Sequence, residues 1–211
     1  MNFEGMKKTI ITLTAALLLP LPQLFCKIHF KTSNFTYGFE WGYSETIFRY
    51  YDYNFITHEG DRLHDTGKGT VFHSNGQFFL KAGYDLTEHF NLSAQAGYEG
   101  LYKNNRFYPL SIRGTYLTGK KGKNRYFTFA EAGIGLDNKL ADSHNDIYKC
   151  GWGLRLPLDC KTDMDIIFAL QAGYSHPELT DPDTLEPVNQ DKIGSSDAWF
   201  VSASVGIAIN F

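Results

Sequence analysis

Between residues 35 and 44 every second side chain is an aromatic ring. Phe35, Tyr37, Phe39, Trp41 and Tyr43 alternate with Thr36, Gly38, Glu40, Gly42 and Ser44. A helix would spread these rings around its circumference. An extended strand, whose successive side chains point to opposite faces, gathers them on one side. The segment therefore reads as a strand with one wholly aromatic face and one small or polar face.

The alternation returns in seven more stretches, at 77–86, 90–99, 108–116, 126–136, 148–159, 166–175 and 199–211. In the second, Phe78, Leu80, Ala82, Tyr84 and Leu86 oppose Gln77, Phe79, Lys81, Gly83 and Asp85. The stretch at 126–136 is the least regular, because Phe127 and Phe129 fall on its small, polar side with Glu131, Gly133 and Gly135. Most stretches reach the ~9–11 residues that a tilted membrane strand needs. The connections alternate too. Short polar turns fall at 87–89, 118–124 and 161–165, and longer links at 45–71, 103–106, 137–147 and 176–197. Short turns on one rim and long loops on the other are the outer-membrane arrangement. The expected fold is all-β, an eight-stranded antiparallel up-and-down transmembrane β-barrel.

Composition fits that plan. Mean hydropathy is only −0.30, yet aromatics make up 16% of the chain and Gly reaches 20 residues. Such an average arises when one residue meets lipid and the next a polar lumen. The formal charge of −3 leaves no basic excess for a nucleic-acid partner.

At the N-terminus, Lys7-Lys8 precedes an apolar run at 9–19, which Pro20 and Pro22 close. The run is too short to span a bilayer and suits a secretory leader. Residues 1–26 are expected to be a signal peptide, starting at Met1 or Met6, and 27–211 the barrel domain. Cleavage after Cys26 is one reading. Lipidation of Cys26 is the alternative, against which the bulky Leu24-Phe25 argues. Cys150 and Cys160 sit on one strand, roughly 33 Å apart at ~3.3 Å per residue, beyond disulfide reach. They read as small apolar residues.

Orientation follows from charge. With the polar faces outward, Glu40, Lys81, Arg113, Glu131 and Arg155 would enter hydrocarbon, at ~2–4 kcal/mol for each midplane cation. They are therefore expected inside. Counted from the periplasmic strand ends, these five residues and Gln95 and Gln171 fall in one layer. Glu40 then lies beside Lys81, and Glu131 between Arg113 and Arg155. Such an ion-pair layer would close the lumen; the alternative is a proton or ion path.

The segments "FFLKAGYDLTEHFNLSAQAGYEG", "RFYPLSIRGTYLTG" and "RYFTFAEAGIGL" resemble the small outer-membrane β-barrel proteins common in Bacteroidetes, which are related in architecture to OmpA-type and opacity-type barrels. The resemblance covers nearly all of residues 33–211. It implies residence in the cell outer membrane among lipid and lipopolysaccharide, as a monomer with a structural, adhesive or porin-like role. The terminal "VSASVGIAINF", ending in Phe211, is similar to the signal that barrel-assembly machinery recognises.

Chemistry is sparse. His73-Ser74-Asn75 is similar to the His-x-Ser-Asn of lipid A deacylases, but adjacent residues on a strand point to opposite faces. His58, His64 and His73 share a segment with Glu59, Asp61 and Asp65, and His176 begins another. None of this matches a metal-ligand spacing. Asp181, Asp183 and Glu186 lack the glycine and terminal glutamate of a helix-loop calcium site. No catalytic, metal or cofactor-binding residue is expected. The function classes are a structural or surface-interaction barrel, a narrow porin-like channel, and a lipid A-modifying enzyme. A lipocalin-like carrier would instead turn the aromatic faces inward.

Overall fold

A computed structural model describes residues 34–102, 105–135, 145–159 and 162–211. The leader at 1–26, with Cys26, and Cys160 lie outside the described residues. The alternating stretches form strands β1 (Phe35–Ile56), β2 (Arg62–Asp85), β3 (Phe90–Tyr102), β4 (Asn105–Phe107), β5 (Pro109–Leu117), β6 (Arg125–Gly135), β7 (Asn145–Pro157), β8 (Asp163–Ser175) and β9 (Ile193–Asn210). Strands β4 and β5 both pair with β3 and together make one stave. The break between them falls at Tyr108, before Pro109, where the proline removes an amide donor and restricts its predecessor. The nine segments thus build eight antiparallel staves. The sheet closes where β1 pairs with β9 and β2 with β3.

The stagger of that closure can be followed residue by residue. Paired residues lead once around the ring from Phe35 through Tyr84, Leu92, Gly114, Ala130, Cys150, Leu170 and Ala203. They return to β1 at Glu45, about ten residues higher. A rise of ~33 Å over a girth of ~38 Å tilts the staves by about 40°.

The faces point as the charges require. Trp41 and Trp152 are 42% and 58% exposed, while Glu40, Arg113 and Glu131 are buried. An aromatic exterior around a polar interior is unstable in water and stable in a bilayer. Exposed Tyr37, Tyr116, Tyr126 and Phe211 ring the end with the short turns, and Tyr43, Tyr108 and Tyr148 ring the other. Tyr108 and Tyr116 bracket β5, a separation of about 20 Å along the axis, close to the ~25 Å apolar band of outer-membrane barrels.

Phe127 and Phe129 are buried at 3% and 5% exposure. They pack on glycines of the neighbouring stave. A Cβ on Gly153 would come within 2.3 Å of the Phe127 ring, and one on Gly151 within 2.7 Å of Phe129. With Leu117, Ile167, Ala169 and Ala208 they form an apolar cluster inside the barrel. The irregular alternation at 126–136 is therefore a lumen partly filled by rings.

Two segments depart from expectation. The link at 45–71 is not a loop, since β1 and β2 continue far past the ring as a paired hairpin closed at residues 57–61. The register shifts between Thr46 and Phe48. Outward rings occupy odd positions up to Tyr43, whereas Phe48 is outward above the shift and Phe55 is buried. Alternation counted on one parity ends there, although the strand does not. The link at 176–197 is also ordered. It carries a Thr180–Pro187 bridge and a 3-10 turn at Gln190–Lys192, then enters β9 at Ile193. Its Leu179 and Val188 bury Phe55 at the hairpin tip.

Candidate functional site in the lumen

The interior carries three tiers of polar contacts, stacked along the axis. In the middle tier, Arg113 of β5 reaches across the lumen to β1. Its Nη1 donates to Glu40 Oε2 at 2.7 Å and its Nη2 to Glu40 Oε1 at 3.3 Å. Its Nε donates to Glu131 Oε2 on β6 at 2.7 Å. Ser111 Oγ donates to the other Glu131 oxygen at 2.7 Å, and the guanidinium lies 4.3 Å from the Phe129 ring centre. One planar cation thus holds two carboxylates from opposite walls, a task suited to arginine's rigid fork of donors.

The tier nearest the short turns centres on Arg155. Its Nε and Nη2 each donate to Asp165 at 2.7 Å, and Asp163 stands 4.0 Å away. Asn210 Nδ2 donates to Asp165 Oδ2 at 2.9 Å and Lys81 Nζ to Asn210 Oδ1 at 3.3 Å. The tier toward the long hairpin is looser. Lys149 Nζ lies 3.6 Å from Glu99 Oε2, 3.5 Å from Gln77 Oε1 and 4.7 Å from the Phe79 ring centre. Beyond it, Ile147, Ala198 and Phe200 pack with Tyr51 and Tyr53. Arg49 stacks on Tyr51 at 4.5 Å and donates to the Tyr53 hydroxyl at 2.5 Å.

All five residues singled out in the sequence are buried in this interior, but they do not form one layer. Arg113 and Glu131 meet as neighbours in the sheet. Glu40 pairs with Arg113 across the lumen, and Lys81 bonds Asn210 rather than Glu40. Arg155 does not reach Glu131. The register sets Arg155 opposite Arg125, and Glu131 opposite Lys149. The cause lies in the strand ends: β7 ends at Pro157, so Arg155 is only two residues inside it, whereas Glu131 is six residues inside β6, and Arg155 therefore falls in a lower tier. Lys149 and Asp165 complete those tiers. Lys149 could have been found from its alternation with Gly151 and Gly153, whereas Asp165 sits where the sequence reads as a turn.

The other candidates separate. Ser74 is exposed and donates to Glu45 Oε2, while His73 lies on the opposite, partly buried face of β2. The two do not make a base–nucleophile pair. His58 Nδ1 contacts Asp181 Oδ2 at 2.9 Å, His64 Nε2 contacts Asp52 at 3.0 Å, and His176 Nδ1 contacts the Ser196 carbonyl at 2.9 Å. Asp181 also accepts the backbone amides of His58 at 2.7 Å and Asp183 at 3.0 Å. Those amides and the His58 ring hold its carboxyl well below the usual carboxylate range. Among the described residues no group of three or more His, Cys, Asp or Glu side chains is arranged to hold a metal ion.

No protein-family model and no curated protein matches the chain. Among solved structures it is similar to Neisserial surface protein A, at 12% identity and a TM-score of 0.40, over 82% of this chain and 97% of that one. It is similar to the N-terminal β-barrel domain of Pseudomonas aeruginosa OprF, at 15% identity and a TM-score of 0.38, over 81% of this chain and 99% of that one. A third likeness is to a Pseudomonas aeruginosa FadL homologue, at 10% identity and a TM-score of 0.33, over 86% of this chain and 50% of that one.

Proposed function

We propose that the protein is a monomeric barrel of the cell outer membrane with a structural or surface-interaction role and a lumen closed to bulk solutes. The short turns face the periplasm. The β1–β2 hairpin and the 176–192 segment form an ordered head outside the cell. The observation that carries the reading is Arg113, which spans the interior and bonds carboxylates on both walls. A cation bonded to both walls across the axis supports a closed lumen at that height, and the Arg155 tier and the Phe200 cluster lie on either side of it. The lumen is also balanced: Lys81, Arg113, Arg125, Lys149 and Arg155 are matched by Glu40, Glu99, Glu131, Asp165 and the half-buried Asp163. A charge-selective pore would need an excess of one sign.

The test is a planar-bilayer recording of the purified protein. A flat trace is expected at moderate voltage. Sustained unitary openings in the unmodified protein would establish the narrow channel instead.

A further inference from the structure

Among the described residues, the exposed lysines of the turn rim gather on one turn. The β5–β6 turn carries Lys120, Lys121 and Lys123, all exposed. Its neighbours are acidic: Asp85 and Glu88 flank one short turn, and Asp159 and Asp163 the other. The basic turn is built rather than loose. Gly119 and Gly122 take φ of 86° and 80°, a left-handed backbone that suits glycine. Thr118 N donates to the Tyr126 carbonyl at 2.8 Å and Lys123 N to that of Lys120 at 3.3 Å. The base is locked to the adjacent turn, with Arg125 Nη1 on the Glu88 carbonyl at 3.2 Å and the His89 ring on the Leu117 carbonyl at 3.0 Å. Arg125 is thereby turned inward, and only the three lysines project.

Their partners and their height define the ligand. Lys121 stands 3.6 Å from Asp85, while among the described residues no carboxylate lies within 4 Å of Lys120 or Lys123. Tyr116 and Tyr126, the outward rings that flank the turn, are 52% and 69% exposed and mark the lipid–water boundary. Lysines three to five residues from the nearer of those rings reach the headgroup level with their ammonium groups while their stems cover apolar surface. Resting on the membrane placement proposed above, we propose that the β5–β6 turn is a binding surface for anionic phospholipid headgroups of the adjacent leaflet. Lys120 and Lys123 contact phosphate, and Lys121 is shared between phosphate and Asp85.

The experiment reconstitutes the purified protein in phosphatidylcholine vesicles with and without phosphatidylglycerol. Native mass spectrometry then measures the ratio of the two lipids retained. The unmodified protein is expected to retain phosphatidylglycerol over phosphatidylcholine by about tenfold or more. High salt, or K120Q/K121Q/K123Q, should bring the ratio near unity, while K68Q on the opposite rim should leave it unchanged. An undiminished preference in the triple variant would overturn the proposal, as would complete displacement of the lipid by inorganic phosphate, which would indicate a free-anion site. Failure of the protein to enter either vesicle would count against the membrane reading itself, an outcome distinct from both.

Discussion

Arg113 shows how much one side chain can be asked to hold. The residue is 2% exposed, and its guanidinium bonds two carboxylates. Desolvation offsets much of that attraction, so the tier is weak evidence for net stability, but removing one member strands the rest. Arg113→Met should therefore cost about 3–5 kcal/mol in urea unfolding of the vesicle-inserted protein. Adding Glu40→Gln and Glu131→Gln should recover most of that loss, because no unpaired charge remains. Equal losses in the single and triple variants would show that shape, not charge, matters there. Asp181, outside the membrane, behaves differently. Its carboxyl titrates lower in the folded protein than in the unfolded chain, so its contribution is complete above the unfolded value near ~4 and fades as pH falls through the lower folded value. Proteolytic nicking of 176–192 should rise only in strong acid. Asp181→Asn should raise it at neutral pH and flatten the dependence.

At the scale of strands, the alternation made the staves legible because a lipid-facing ring and a lumen-facing small residue satisfy opposite solvents. The outward positions of Trp41 and Trp152 follow from that alone. Two things were not legible. The shift between Thr46 and Phe48 hides the upper halves of β1 and β2, where tyrosines occur on both parities as Tyr50, Tyr51 and Tyr53. The ion-pair partners depend on where each strand ends: β7 stops at Pro157 and β8 begins already at Asp163, so Asp165, not Glu131, holds Arg155. The complementarity of phenyl and glycine across β6 and β7 is equally invisible along one strand. It carries its own prediction. Gly153→Ala should cost about 1–3 kcal/mol, because the methyl would meet both the Phe127 ring and the Ile166 carbonyl. Combined with Phe127→Ala, the loss should be smaller than the sum of the two, since ring and methyl compete for one space.

For the whole molecule, placement in the bilayer predicts a depth dependence. Cys150 is exposed on β7 and stands in the middle of the apolar band, whereas Tyr126 lies at its edge. Cys150→Arg should cost about 2–4 kcal/mol and Tyr126→Arg about 0–1 kcal/mol, read from the same urea titrations. Similar costs at both sites would contradict the placement.

The seam that joins the chain's first and last strands has a temporal meaning. The β1–β9 ladder runs from Gly38 and Asn210 to Phe55 and Ile193, well past the rim, whereas β5 meets β6 only from Leu117 and Phe127 to Pro109 and Gly135. Among the described residues only the β1–β2 ladder is longer, so closure of the ring is well rewarded in hydrogen bonds and the finished seam should part late. A pulled or heated barrel should open first beside Pro109, far from its own ends, and a protein that fails there while its termini stay zipped will age slowly in the membrane.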